Sequence, residues 1–378
     1  MKLFIKKILI CLFLVSFIFP SLSLGDENSF LIGMVNDLSG PKASLGQGMK
    51  MGSRAYFNKV NAEGGIHGQR IKVISYDDQS LPEKTLELTE ILINKDKVSL
   101  LFGYVGTTNI LNIEFLLNEK KIPLLFSLSS SHFLREPLHP YIFMLTPSYF
   151  DETKALVEYL VKKKSKKNMG VFVQEDIYGR AGKAAFRSLL YQKGIALKSI
   201  GRYGQYTSDL TAEVARLRKE NLQVLAFYAK ENLNHTFMEK AKFYKFKPLF
   251  VQTSLITPDQ PPRVFDKSFG ELIFTQTVPI LSQSKEPLVK EYFVDMAKAG
   301  YPPLSNSSFQ GYIGAMILVH ALTLNRPPFS NEKFIQILEG LNSKIEGFEV
   351  SFSKDDHQAL DKIYFGRIKK GKLKKLKL

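Results

Sequence analysis

Cysteine is nearly absent from this 378-residue chain, Cys11 being the only one. It lies in the apolar run "ILICLFLVSFIFPSLSLG", preceded by Leu9 and Ile10 and not by the small residue a lipoprotein signal wants, so lipidation is not expected. No thiol follows, which excludes disulfides, zinc-thiolate centres and a cysteine nucleophile together. The fold must therefore rest on a hydrophobic core. Catalytic signatures are missing too: there is no Gly-x-Ser-x-Gly elbow, no His-Glu-x-x-His, and no Gly-x-Gly-x-x-Gly after the first strand. "GRAGKAAF" has its glycines too close, and an alanine after Lys183, for a phosphate loop. The six histidines show no metal-ligand spacing; only His132, beside Ser129 to Ser131, is near a candidate site, with packing as its other reading. These absences point away from an enzyme, a metal site and a cofactor. Past the leader, no run approaches the roughly 20 apolar residues of a membrane span.

The leader is what the sequence has in place of those features. "MKLFIKK" is basic, the apolar run follows, and Ser23 and Gly25 fit the −3 and −1 positions of a signal peptidase site. Residues 1–25 read as a signal peptide and the mature chain as beginning near Asp26, delivered to the periplasm; an uncleaved anchor is the weaker reading, given the short apolar core and Pro20. The remaining length exceeds what one core usually holds and predicts two domains. The formal net charge is +16, much of it in "GRIKKGKLKKLKL", which carries Arg367, Lys369, Lys370, Lys372, Lys374, Lys375 and Lys377. A solvated tail is the preferred reading over nucleic-acid binding, with an anionic membrane surface as a weak partner.

Hydrophobic period gives strand 31–35, helix 45–62, strand 71–75, helix 82–94 and strand 98–102, a βαβαβ pattern whose connections join parallel strands. Helix 110–119 and strand "IPLLFS" follow. Near Thr146 the rhythm restarts, with helix 152–162, strand "MGVFVQ", and further helices and strands to "PLFVQTS". The apolar helix "SFQGYIGAMILVHALTL" reads as an amphipathic element returning to the first unit. The predicted architecture is α/β, with two doubly wound lobes: 26–148 plus 277–350, and 149–276 plus 351–378 with the basic tail. Several crossings would make a hinge over a cleft.

Chemistry is concentrated at strand ends. "LLFGYVGTTN" runs from strand to helix through Gly103, Gly106, Thr107 and Thr108, which suits an anion at the sheet's carboxyl edge or, equally, a simple helix cap. Ser129, Ser130 and Ser131, then Tyr178, Lys230 and Ser254, occupy comparable places. Hydroxyls, backbone donors and one ammonium, with no activated nucleophile, form a site that binds without reacting. Asp77 and Asp78 in "YDD" read as a turn cap before Pro82 sooner than as a general acid/base pair.

The segment "IGMVNDLSGPKASLGQGMKMGSRAYFNKVNAEGGIHGQRIKVISYDDQSLPEKT" resembles the start of the periplasmic leucine/isoleucine/valine-binding proteins, solute receptors of ABC importers. The similarity continues through "IPLLFSLSSS", "EDIYGRAG" and "YTSDLTAEVARLRKENLQVLAFYAKENLN". The resemblance implies a type I periplasmic binding fold and a monomer that closes over a small carboxylate or amino acid, then docks on a membrane permease, with no nucleic acid involved. A ligand sensor signalling to a membrane receptor is the alternative. By the same resemblance, Thr107 would hold the ligand carboxylate, Ser130 would contact the amino acid with Ser129 beside it, and Tyr178 would close over the ligand. Two positions depart from that pattern: Lys230 stands where amino-acid binders carry tyrosine, and Ser254 where they carry the glutamate facing the ammonium.

Overall fold

The computed structural model describes residues 29–378 except 205, 206, 208, 230, 255–269, 303, 304, 377 and 378. The leader and its cleavage site lie outside the described residues. The chain opens with β1 (Ser29–Asn36), α1 (Ala43–Ala62), β2 (Arg70–Asp77), α2 (Pro82–Asn94) and β3 (Leu100–Phe102). Next come α3 (Thr107–Asn112), α4 (Glu114–Lys120), β4 (Leu124–Leu125) and β5 (Ile142–Phe143). The strands form a parallel sheet in the order β2-β1-β3-β4-β5. Both of its faces are covered, which is why the strands are nearly continuous apolar runs. Met34, Phe102 and Phe126 pack on one side; Val35, Leu101 and Leu124 on the other.

The second sheet is built from α5 (Tyr149–Glu158), β6 (Met169–Gln174), α6 (Ile177–Tyr191), β7 (Ser199–Tyr203), α7 (Thr211–Lys219), β8 (Val224–Tyr228), α8 (Glu231–Phe243), β9 (Leu249–Gln252) and β10 (Glu271–Gln276). The chain then forms α9 (Pro287–Lys298), α10 (Asn306–Leu324), α11 (Asn331–Glu339), the small hairpin β11 (Asn342–Ile345) and β12 (Phe348–Ser351), and finally β13 (Tyr364–Lys369) and β14 (Lys372–Leu376). The second sheet runs β14-β13-β10-β9-β8-β6-β7, parallel except for the β13–β14 hairpin at one edge.

Helix α10 packs along α1, and three glycines set how closely. A Cβ on Gly52 would lie 1.7 Å from the Ser308 carbonyl oxygen, one on Gly48 2.1 Å from Ser307 Oγ, and one on Gly311 2.4 Å from the Met49 carbonyl oxygen. The spacing in "GQGMKMGSR" is therefore a helix-contact signal.

Four sequence expectations are corrected. The helix predicted at 110–119 is two short helices that meet at Ile113. The helix predicted from 152 starts at Tyr149, because Ser148 and Asp151 form a reciprocal capping box. The basic tail is no solvated tail: residues 364–376 are sheet strands, and Ile368 is buried in the core. Helix α10 is not amphipathic but buried on almost every side, and although it is long and apolar enough to cross a membrane, it is a core helix.

Candidate functional site

The carboxyl ends of both sheets contribute to one cavity. Leu128, Ser129 and Ser130 follow β4, Thr146 follows β5, Ser254 follows β9, and Gln276 ends β10. Thr277 and Val278 just after β10, Leu45 of α1 and the first turns of α10, with Asn306, Ser307 and Gln310, complete the lining. The volume is about 120 Å³, near the roughly 150 Å³ that holds a benzene molecule in an engineered cavity. It suits a small solute.

On the first sheet's side Gly106, whose φ of +104° favours glycine, stands at the N-terminal cap of α3. Neither Thr107 nor Thr108 caps that helix through its side chain. Thr107 Oγ1 instead meets Ser129 Oγ at 2.8 Å, and the Ser131 N–H donates to the same serine oxygen at 3.2 Å. Thr107 thus orients Ser129, which lines the cavity, while Thr108 is exposed and outside the lining. The Gly106 N–H is taken by the Leu128 carbonyl at 3.3 Å. A cation stands nearby: a Cβ on Gly106 would lie 2.9 Å from Lys42 Nζ. No carboxylate among the described residues pairs with that ammonium.

The strand ends are fastened from below by Arg135. Its guanidinium donates to the Ser131 carbonyl at 2.6 Å, to the Thr146 carbonyl, and to Gln358 Oε1 at 2.8 Å. Burial pulls its pKa down to about 10, which leaves it charged at neutral pH. The Tyr149 N–H donates to the Ser130 carbonyl at 2.8 Å, tying the start of α5 to the same strand end.

The second sheet's side is organised by Glu152, a fully buried carboxylate on α5. It accepts from the Ser254 N–H at 2.9 Å, Ser254 Oγ at 2.7 Å and Thr275 Oγ1 at 2.6 Å. Burial pushes its pKa up, and those hydrogen bonds only partly oppose the shift. Because Ser254 gives its proton to Glu152, its lone pairs remain to accept from a solute. Among the described residues, Gln276 Oε1 and Asn306 Oδ1 are buried acceptors with no hydrogen-bond partner, and both residues line the cavity. An unpaired buried acceptor costs about 1–3 kcal/mol. The lining thus combines the Ser129, Ser130 and Ser254 hydroxyls with the Gln276 and Asn306 amides, and the Lys42 ammonium stands beside Gly106 outside it.

Of the residues singled out from sequence, Ser129, Ser130 and Ser254 line this cavity. Thr107 reaches it through Ser129. Tyr178 lies behind the wall, edge-on to Tyr149 with ring centroids 6.2 Å apart and its hydroxyl 3.2 Å from Thr253 Oγ1. Lys230 lies outside the described residues. His132 stacks on Phe150 and approaches Glu136 at 3.1 Å, a packing position. The Asp77 and Asp78 carboxylates accept turn N–H groups, from Leu38 at 2.8 Å and Ser80 at 2.9 Å, and act as caps. No group of histidines, cysteines and carboxylates among the described residues could hold a metal. Sequence reasoning missed Lys42, Arg135, Glu152, Gln276 and Asn306. Only Gln276, a lone amide in the apolar stretch "ELIFTQTV", and Asn306, just after the Ser305 cap, carried a visible signal.

Two α/β units that bring their strand ends to one small cavity have the architecture of a solute-binding protein. The chain belongs to the periplasmic binding protein family, whose model matches residues 30–372. It is 20% identical over 196 residues to the Leu/Ile/Val/Thr-binding protein of Salmonella typhimurium, a match that covers 52% of this chain and 53% of that protein. The matched stretch is thus about half the length of that relative. Among solved structures, a possible leucine/isoleucine/valine-binding protein from Rhodopirellula baltica is 27% identical, with a TM-score of 0.79 over 93% of this chain and 97% of that one. A branched chain amino acid ABC transporter protein from Thermus thermophilus, with bound valine, is 19% identical, with a TM-score of 0.80 over 92% and 95%. The fold is the type I periplasmic binding protein fold, and the relatives carry the names of binding proteins, not of enzymes.

Proposed function

We propose that this protein is the extracytoplasmic receptor of an ABC importer, and that it captures a small carboxylate or amino-acid-like solute in the cavity between the two sheets. One observation supports the reading: the Ser129, Ser130 and Ser254 hydroxyls line one cavity together with Gln276 and Asn306, whose buried amide oxygens have no hydrogen-bond partner among the described residues. Ser129, oriented by Thr107, and Lys42 meet the carboxylate. Gln276, Asn306 and Ser254 accept from the ammonium, amide or hydroxyl at the far end of the solute. That division replaces the single acidic partner absent at Ser254 and keeps amino acids within the ligand class. Lys230 and Tyr178 then act on closure, Tyr178 by holding the Thr253 to Ser254 strand end. The names of the relatives agree with this size and chemistry.

A thermal-shift screen of amino acids and of mono- and dicarboxylates tests the proposal. Binding to the native state alone stabilises by about 2.7 kcal/mol at 100 times Kd, so one chemical class is expected to raise the melting temperature. No shift with any small carboxylate or amino acid, or chemical turnover of the solute, would overturn the reading.

A further inference from the structure

The end of the second sheet remote from the cavity is strongly basic. Strands β6, β9 and β10 begin there, and antiparallel β13 ends there, Lys369 pairing in register with Glu271. Three segments distant in sequence converge: Lys164 and Lys166 before β6, Lys247 before β9, and Lys369 and Lys370 at the β13–β14 turn. Together they line a groove of about 430 Å³. Among the described residues the one carboxylate in that lining is Glu271, and it is engaged by Lys369 at 2.9 Å. Exposed Lys162, Lys163, Lys167 and Lys372 extend the positive surface. A strand of this length spans about 17–20 Å, so the groove and the solute cavity lie at opposite ends of the sheet.

We propose that this face binds the phosphodiester headgroups of an anionic membrane surface. The charges are almost all lysines, strongly hydrated point charges that suit many diffuse phosphates, where recognition of one phosphate would favour the arginine fork. Nucleic acid fits less well, because the nearby rings are not free to stack on bases: Lys164 lies over Tyr159 at 5.9 Å, and Lys362 and Lys375 over Tyr364 at 5.1 and 5.8 Å. Docked this way, the receptor sits at the membrane with its cavity end turned toward water. The contact is electrostatic and readily reversed, so the receptor can leave it once loaded.

Co-sedimentation with vesicles of phosphatidylcholine, with and without phosphatidylglycerol, tests the assignment. The native protein is expected to bind only the vesicles that contain phosphatidylglycerol, and to release them in about 1 M salt, where the screening length falls to about 3 Å. Changing Lys164, Lys166, Lys369 and Lys370 to Gln should reduce partitioning by at least about 100-fold. The same charge loss at Lys95, Lys121, Lys290 and Lys354, exposed on other elements, should leave most of it. The double variant Lys164→Gln/Lys166→Gln, with an unchanged melting temperature and about tenfold weaker partitioning, guards against misfolding of the quadruple one. Absence of binding to phosphatidylglycerol, equal loss in both quadruple variants, or preference for duplex DNA or soluble glycerol phosphate over vesicles would each overturn it.

Discussion

Arg135→Met should uncouple the strand ends beneath the cavity. The enclosed guanidinium holds the Ser131 and Thr146 carbonyls and the Gln358 amide oxygen, three acceptors from separate segments. Methionine keeps much of the volume but supplies no donor. Each stranded acceptor costs about 1–3 kcal/mol, while relief from burying a cation offsets part of the sum. The net loss of stability should be about 3–5 kcal/mol, read from the midpoint and slope of urea denaturation. Arg135→Lys should recover little of it, since one ammonium cannot span the three acceptors as the planar fork does. Solute affinity should fall as well, because Ser129, Ser130 and Thr146 lose their fixed positions. A methionine variant within about 0.5 kcal/mol of the native protein would refute the claim that Arg135 fastens these segments.

Gly52→Ala should destabilise by about 1–3 kcal/mol or more, because its Cβ would meet the Ser308 backbone oxygen; an unchanged melting temperature would contradict the close α1–α10 contact. Glu152 has a folded-state pKa raised by burial above its ordinary 4.5, so its contribution to stability is complete below that value and is lost as pH rises through the raised pKa. Glu152→Gln should therefore flatten the loss of stability as pH rises above the ordinary glutamate range, and parallel profiles for the two proteins would count against the buried carboxylate. Gln276→Leu should leave stability unchanged or slightly higher, since it removes an unpaired acceptor, yet weaken solute binding about tenfold or more by calorimetry; equal affinity would remove Gln276 from the site.

The parallel strands were legible because burial on both faces leaves a continuous apolar signature, as in "FLIGMV" and "MGVFVQ". The strand-end hydroxyls could be found for a related reason: Ser129, Ser130 and Ser254 interrupt apolar runs where the chain turns. Arg135 and Glu152 could not, because each serves residues far away in sequence, and one charged residue in a loop or on a helix looks like ordinary solvated surface. The tail was misread for a similar cause. Its lysines are interspersed with Leu373 and Leu376, which pack on different core clusters, and the charge run masked a strand that pairs with β13. Gly48 and Gly52 were visible without being interpretable, since their partner helix lies some 250 residues further along.

Isothermal titration of the native protein with the solute selected by thermal shift, followed by recovery and chemical analysis of that solute, tests the receptor reading most directly. The account predicts saturable binding of one molecule per chain, weakened by Ser129→Ala and by Gln276→Leu, with the solute recovered unaltered. Binding indifferent to both substitutions, or a solute returned chemically changed, would contradict it.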